Sequence, residues 1–317
     1  MGLPNDIVLE NGILNEKLIM KREILYKGMN GRLVERFYLS VAESYIFKPL
    51  TNNDQLGKEA WIHEQVLPHF PAIFPKILSY SESDNPELSW MILEDLGQLT
   101  HKFNEETVLG VVKWVAWWHS LPVGKLGNLP VKGLKPQIGE IVAEICDRRE
   151  SFYQLLPQLQ IDEKLIQHIY ALLGEMKFST HQVLSHGDLH VGNYAFVDNK
   201  MMILDWEHTH LNTPYWDLYH VLDMSHPLFP RTITSEFREM ILKSYLSQVE
   251  LEINDDNFMK EYYLFAAAFS IWMLLLIQKD LQNNGGKWSV EQLITQREET
   301  ACSLRQCGVA LFSTEKS

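Results

Sequence analysis

Residues 185–207 read SHGDLHVGNYAFVDNKMMILDWE, and this run decides how the rest of the chain is read. It sets Asp188, Asn193 and Asp205 in order, five and then twelve residues apart. Between the last two lie the apolar-rich stretch 194–197 and the apolar run 201–204, joined by Asp198-Asn199-Lys200. Two short apolar segments around a polar turn predict a β-hairpin. Such a hairpin returns Asp205 toward Asn193. An aspartate to orient a hydroxyl, with an amide and a second carboxylate to hold Mg²⁺, is the minimum set for phosphoryl transfer from a nucleotide.

The same run resembles the catalytic and metal-binding segment of the aminoglycoside phosphotransferase and choline kinase family, small-molecule relatives of the protein kinases. That family's pattern is His-Gly-Asp-(Leu/x)-His-x-x-Asn, followed about a dozen residues later by Asp-(Trp/Phe)-Glu. This chain has His186-Gly187-Asp188-Leu189-His190-Val191-Gly192-Asn193 and then Asp205-Trp206-Glu207. The resemblance implies that Asp188 accepts or orients the substrate hydroxyl proton and that Asn193 and Asp205 bind Mg²⁺. It gives His186 a loop-anchoring part and leaves His190 unassigned. Mg²⁺ prefers hard oxygen donors and keeps much of its water, so one carboxylate and one amide suffice beside phosphate oxygens.

Upstream, residues 23–26, 33–39 and 44–47 read as three short strands rich in Ile, Leu, Val, Phe and Tyr. The gap Lys27-Gly28-Met29-Asn30-Gly31-Arg32 is the candidate loop over the phosphates, with backbone N–H groups at Gly28 and Gly31 as anion donors. Asn30-Gly31 is equally an ordinary hairpin turn. Lys48 closes the third strand, and the resemblance implies that it reaches the α- and β-phosphates. Gly57-Lys58-Glu59-Ala60 resembles the family's Arg-Glu-Ala helix start, which points to Glu59 as the lysine's partner. Glu64 competes, but five positions on it faces about 140° away on an ideal helix. The run 88–97 reads as a strand leading into a hinge, where the resemblance pairs a nucleotide base with backbone at Glu94 and Leu96. Gly97 frees the chain to leave that strand.

The remainder reads as helical. Val108, Val111, Val112, Val115 and Trp118 recur at spacings of three and four over 105–121. Helices are also expected over 137–156, 162–176 and from 290 to about 307. The almost wholly apolar run 264–277 has fourteen residues, short of the roughly 20 that span a bilayer, so a buried helix is expected there. Asn283-Asn284-Gly285-Gly286 marks its exit. Pro214-Tyr215-Trp216-Asp217-Leu218 resembles the family segment after the metal aspartate, with Asp217 fixing the catalytic loop through backbone hydrogen bonds.

The expected fold class is α+β: a two-lobed protein-kinase-like fold. A small antiparallel sheet lobe spans 1–96 and a larger, mainly helical lobe spans 97–317. A chain of 317 residues with 46% hydrophobic content can bury a substantial core. Three cysteines suit a reducing compartment, and the N-terminus has no signal-peptide layout, so a cytoplasmic location is expected. The net charge of −13 disfavours a nucleic-acid partner. Between His186 and Lys260 twelve acidic residues stand against five basic ones. That balance can attract a cationic amino-sugar or choline-like acceptor, or it can be a generic solvated surface.

The expected activity is transfer of the γ-phosphate of ATP or GTP to a hydroxyl of a small molecule, with Mg²⁺. Two other classes stay open. One is a catalytically silent protein of the same fold that binds nucleotide or serves as a scaffold. The other is a zinc hydrolase built on His186, Asp188 and His190, which alternate as on one strand face. Zinc leaves Asn193 and Asp205 unexplained, and no further His/Cys cluster at a metal spacing lies nearby.

Overall fold

The computed structural model describes residues 2–28, 30–251, 254–283 and 286–314. Met29 of the 27–32 loop and Asn284-Gly285 of the helix exit lie outside the described residues, as do Met1 and the last three residues of the 97–317 lobe. The chain divides into two compact units, 1–100 with 195–208, and 101–194 with 209–317. The segment 195–208 thus belongs with the first unit despite its late place in the sequence.

The first unit is built on strands β1 (Lys21–Lys27), β2 (Leu33–Ser40) and β3 (Glu43–Pro49), followed by helix α1 (Lys58–Gln65) and strands β4 (Ile77–Ser81) and β5 (Trp90–Glu94). The sheet order is β1-β2-β3-β5-β4, antiparallel at every pairing. Alternation along the strands turns Phe37, Phe47 and Ile92 to one face, where they bury with Ile7 and Leu14 of the N-terminal segment. The exit from β5 is pinned by Asp95. Its carboxylate takes Arg36 at 2.7 and 3.0 Å and the Ser44 hydroxyl at 2.7 Å, while Arg36 also donates to the Gly97 carbonyl.

In the second unit, α2 (Glu105–His119) starts on Asn104, whose side chain accepts the Thr107 N–H. Its valines at 108, 111, 112 and 115 are fully buried with Trp118, as the spacing predicts. The helix expected over 137–156 is three shorter ones: α3 (Ile138–Asp147), α4 (Arg149–Tyr153) and α5 (Leu156–Leu159). Arg148, at φ −98° and ψ 17°, breaks the first from the second, and Pro157 opens the third, where a missing N–H costs nothing. Then come α6 (Glu163–Glu175) and strand β6 (Val183–Ser185).

The predicted hairpin is present as β7 (Tyr194–Val197) and β8 (Lys200–Ile203). Asp198 and Asn199 between them both take positive φ, 48° and 62°, as a two-residue type I′ turn requires. The hairpin is held in the first unit by Thr100, which exchanges backbone bonds with Phe196, and by the Ile203 N–H on the Ile73 carbonyl. After it come β9 (His210–Asn212), paired with β6, and helices α7 (Tyr215–Leu222), α8 (Ser235–Leu246), α9 (Asp255–Gln282) and α10 (Val290–Thr314). By length and composition α9 is the one described helix able to cross a membrane. It is twice the length of the apolar run that marks it, and residues 264–269 are buried on all sides within the second unit.

Candidate active site

In the first unit the site is built around Lys48. It projects from the end of β3 and is nearly buried, and its ammonium meets Glu59 at 2.5 Å, Glu207 at 3.5 Å and the Asp205 carboxylate. Glu59 lies in the first turn of α1 and is buried. Glu64 points elsewhere, to the Tyr80 hydroxyl at the surface, so the choice between the two glutamates falls on Glu59. Asp205 follows β8 with φ 61°, a left-handed backbone unusual for a residue with a side chain but tolerated by aspartate. Trp206 behind it is fully buried, edge-on to Phe70, and donates to the Ile203 carbonyl, which fixes the turn.

One ammonium among three carboxylates leaves an acidic surplus. Burial works against the charge on Lys48, but Asp205, Glu59 and Glu207 hold its pKa well above the ordinary value. Burial pushes Glu207 up to about 8 against the pull of Lys48, and raises Glu59 as well. Oxygens of Glu59, Asp205 and Glu207 lie within 4.8 Å of one another, a hard-donor set of the kind a small divalent cation takes. Among the described residues this is the only such convergence of His, Cys, Asp and Glu side chains. His186, Asp188 and His190 do not form one, which removes the geometric basis for the zinc alternative.

The 27–32 loop is shaped by its neighbours. The Gly28 N–H donates to the Arg32 carbonyl at 2.8 Å, and the Gly31 N–H to the Gly28 carbonyl at 3.1 Å. In this arrangement both amides are engaged by carbonyls of the loop itself. Gly28 is required for another reason, since a Cβ there would sit 2.5 Å from Thr51 Cβ. At the β5 end, the Glu94 N–H and Oε1 are both bonded to the Lys76 backbone at 2.9 Å. Leu96 is half-buried, one residue before Gly97, whose φ of 76° turns the chain away.

In the second unit the site is the loop after β6. Asp217, on α7, is fully buried and accepts from Ser185 Oγ (2.7 Å), the N–H groups of His186 (2.9 Å) and Gly187 (3.2 Å), Trp118 Nε1 and His119 Nε2. Burial alone would raise its pKa; the bond from His119 leads the interactions that hold it far below the carboxylate range. Trp216 donates to the Gly187 carbonyl at 2.9 Å. The loop is thereby locked from both sides, with Gly187 at φ 87° making the bend.

On this frame Asp188 meets Lys135 Nζ at 2.5 Å, with His190 and His220 nitrogens each 3.7 Å away. Burial raises its pKa, but Lys135, His190 and His220 outweigh it and keep the carboxylate ionised well below its ordinary value. Asn193 donates through Nδ2 to the Asp188 carbonyl at 2.7 Å, which leaves its amide oxygen as the side chain's acceptor atom. His190 accepts the Gly192 N–H on Nδ1 and stacks on His226, 4.5 Å between ring centres. Sequence reasoning gave no part to Lys135, His220 or Glu207. Glu207 stood in the quoted motif, whereas Lys135 lies 53 residues from Asp188 in a loop of ordinary composition.

The fold is found in solved structures of low sequence identity. A GDP complex of an aminoglycoside 2'-phosphotransferase IIIa mutant aligns over 90% of this chain and 92% of its own, with TM-score 0.58 and 17% identity. Choline kinase LicA from Streptococcus pneumoniae aligns over 90% and 93%, at TM-score 0.56 and 15% identity. Macrolide 2'-phosphotransferase MphH from Brachybacterium faecium aligns over 92% and 93%, at TM-score 0.53 and 15% identity. No curated protein sequence matches this chain significantly. The two-lobed kinase-like fold class is thereby established. Residues 90–262, more than half the chain and including both motifs and Asp217, match the sequence profile of one family, and the protein belongs to it: the phosphotransferase enzyme family.

Proposed function

We propose that the protein transfers the terminal phosphate of ATP or GTP to a hydroxyl of a small molecule. The observation that carries this reading is Lys48 held by Glu59 and Asp205 inside a cluster with surplus negative charge. A buried ammonium is set there for phosphate oxygens, and the surplus suits a divalent cation brought in with them. The donor types fit Mg²⁺: Asp205 and the amide oxygen of Asn193 are its proposed ligands, all hard oxygen. Mg²⁺ when bound supplies neutralisation of the phosphate charge.

The chain's own residues divide the remaining work. Lys48 binds phosphate oxygens, and Glu59 fixes the ammonium's position. Glu94 and Leu96 offer backbone to the base. Asp188, kept ionised, takes the proton of the acceptor hydroxyl as the hydroxyl oxygen bonds to the γ-phosphorus and the bond from that phosphorus to the bridging oxygen breaks, releasing ADP or GDP. Asp217 holds the loop so that this carboxylate does not wander, which is where orientation contributes to rate.

Differential scanning fluorimetry tests the reading. Mg·ATP or Mg·GTP is expected to raise the melting temperature, and Asp205→Ala to abolish the Mg²⁺-dependent part. Release of ADP or GDP with a panel of hydroxylated metabolites then identifies the acceptor. No shift with either nucleotide points instead to a silent member of the fold.

A further inference from the structure

The loop between α2 and α3 contributes a residue that neither motif contains. Lys135 sends its ammonium to Asp188 Oδ1 at 2.5 Å and to His220 Nε2 at 2.9 Å. His220 is fully buried, and its Nδ1 lies 2.8 Å from the Trp216 carbonyl. Nδ1–H donates to that carbonyl, so Nε2 is left as a lone-pair acceptor for the lysine. Asp188 and His220 together make a seat for a cation, and the chain fills it with its own side chain.

The seat is built. Pro130 accepts the Leu211 N–H at 2.8 Å, and the Gln137 side chain donates to the Val131 carbonyl at 2.7 Å. Between them Gly133 lies so close on the His210 ring that a Cβ there would come within 2.6 Å. The loop is thus set at several points near Lys135. The groups acting most strongly on Asp188 besides burial are Lys135, His190 and His220, none of them acidic. The acidic surplus of this region also counts for less than its number suggests. Asp217 is consumed by its five donors, and Asp223 by Arg238 at 2.7 Å.

We propose that Lys135 is a specificity residue: by filling the cation seat beside Asp188, it selects acceptors with no ammonium next to the reacting hydroxyl. Neutral polyols and anionic hydroxy compounds are taken, and amino-sugars and choline-like amino alcohols are refused. This rests on the phosphotransferase reading and adds the charge class of its acceptor. An incoming ammonium must either expel Lys135 from two fixed acceptors or sit unpaired beside a like charge, and either alternative weakens binding.

Two measurements on the full chain test it. Methylammonium chloride, with sodium chloride matching ionic strength, is titrated into wild type, Lys135→Ala and Lys135→Arg without nucleotide. The small cation is expected to raise the melting temperature of the alanine variant alone, by about 2–4 °C, because only there is the seat vacant. An equal shift in all three proteins, or none in the alanine variant, overturns the seat. The second measurement compares myo-inositol, ribitol and glycerate with kanamycin, choline and ethanolamine as acceptors, followed by nucleoside diphosphate release. Wild type is expected to favour the first group by ~100-fold or more in kcat/KM. Lys135→Ala is expected to shrink that ratio at least ~10-fold, largely through KM, and Lys135→Arg to restore it. Use of choline or kanamycin as well as the best uncharged acceptor overturns the specificity. If Mg·ATP and Mg·GTP leave wild type unshifted and no acceptor releases diphosphate, the phosphotransferase reading fails, while the methylammonium result still judges the seat.

Discussion

Two charged clusters, one in each unit, are opposites. In the first unit one cation, Lys48, stands among three carboxylates, Glu59, Asp205 and Glu207. In the second, one carboxylate, Asp188, stands among Lys135, His190 and His220. The first cluster holds more carboxylates than cations. The second is already balanced by its own side chains. The difference teaches that, on the proposed function, a divalent cation has a place in the first cluster, whereas the second is balanced by its own side chains.

The strongest way to break the contrast is to remove the charge at the centre of the balanced half. Asp188→Asn is expected to lower kcat by about 10³-fold, the range of a lost general base, while the nucleotide-dependent rise in melting temperature persists. Retained turnover rejects Asp188 as the proton acceptor.

Next in size is the frame beneath it. Asp217→Ala strips a buried carboxylate from five donors and is expected to cost about 3–5 kcal/mol in urea unfolding. The frame also predicts how acid acts. Burial, with Lys135 next, depresses the folded His220 pKa to about 3, and the folded Asp217 pKa lies far below its ordinary value. Both groups are depressed, so their stabilisation is full near neutral pH and is lost on acidification. His220's share declines from about pH 6.5 down toward 3, and Asp217's from about pH 4 downward. Unfolding free energies at pH 7, 5.5 and 4 are expected to fall in that order; a flat profile means that His220 is not protected as described.

A third change acts on the unbalanced half. Lys48→Met leaves three carboxylates facing one another and is expected to destabilise the free protein by about 2–3 kcal/mol. Added Mg²⁺ is expected to recover more of this loss than it adds to wild type. The smallest effect separates the two glutamates of α1: Glu64→Gln is expected to stay within about 0.5 kcal/mol of wild type, as exposed sites do. Glu59→Gln is expected to weaken Mg·nucleotide binding about tenfold. Matching results for the two sink the assignment of Glu59 to Lys48.

What the sequence disclosed follows from distance along the chain. The hairpin and its aspartate are local: apolar segments of fixed length around Asp198-Asn199 specify both the turn and where Asp205 emerges. The valine spacing of α2 was equally plain. Lys135 was invisible because nothing in Gly133-Leu134-Lys135-Pro136 tells which of many loop lysines meets a carboxylate 53 residues on. Gly28 illustrates the same limit. A glycine beside a turn invites an anion-binding reading, but its necessity here is a contact with Thr51, 23 positions later. The break at Arg148 is not legible either, since the apolar periodicity of 137–156 runs through it while the backbone does not.

The placement of β7 and β8 has a consequence for how the molecule is made. Residues 195–208 complete the first unit, supplying Trp206 against Phe70 and the Ile203 bond to Ile73, and they bring Asp205 to Lys48. A ribosome finishes the sheet some hundred residues before it delivers this piece. The nascent sheet waits without Trp206 and Ile203 while α2 through α6 emerge. A gene fragment ending at residue 100 therefore cannot yield this unit whole; residues 195–208 must be grafted back.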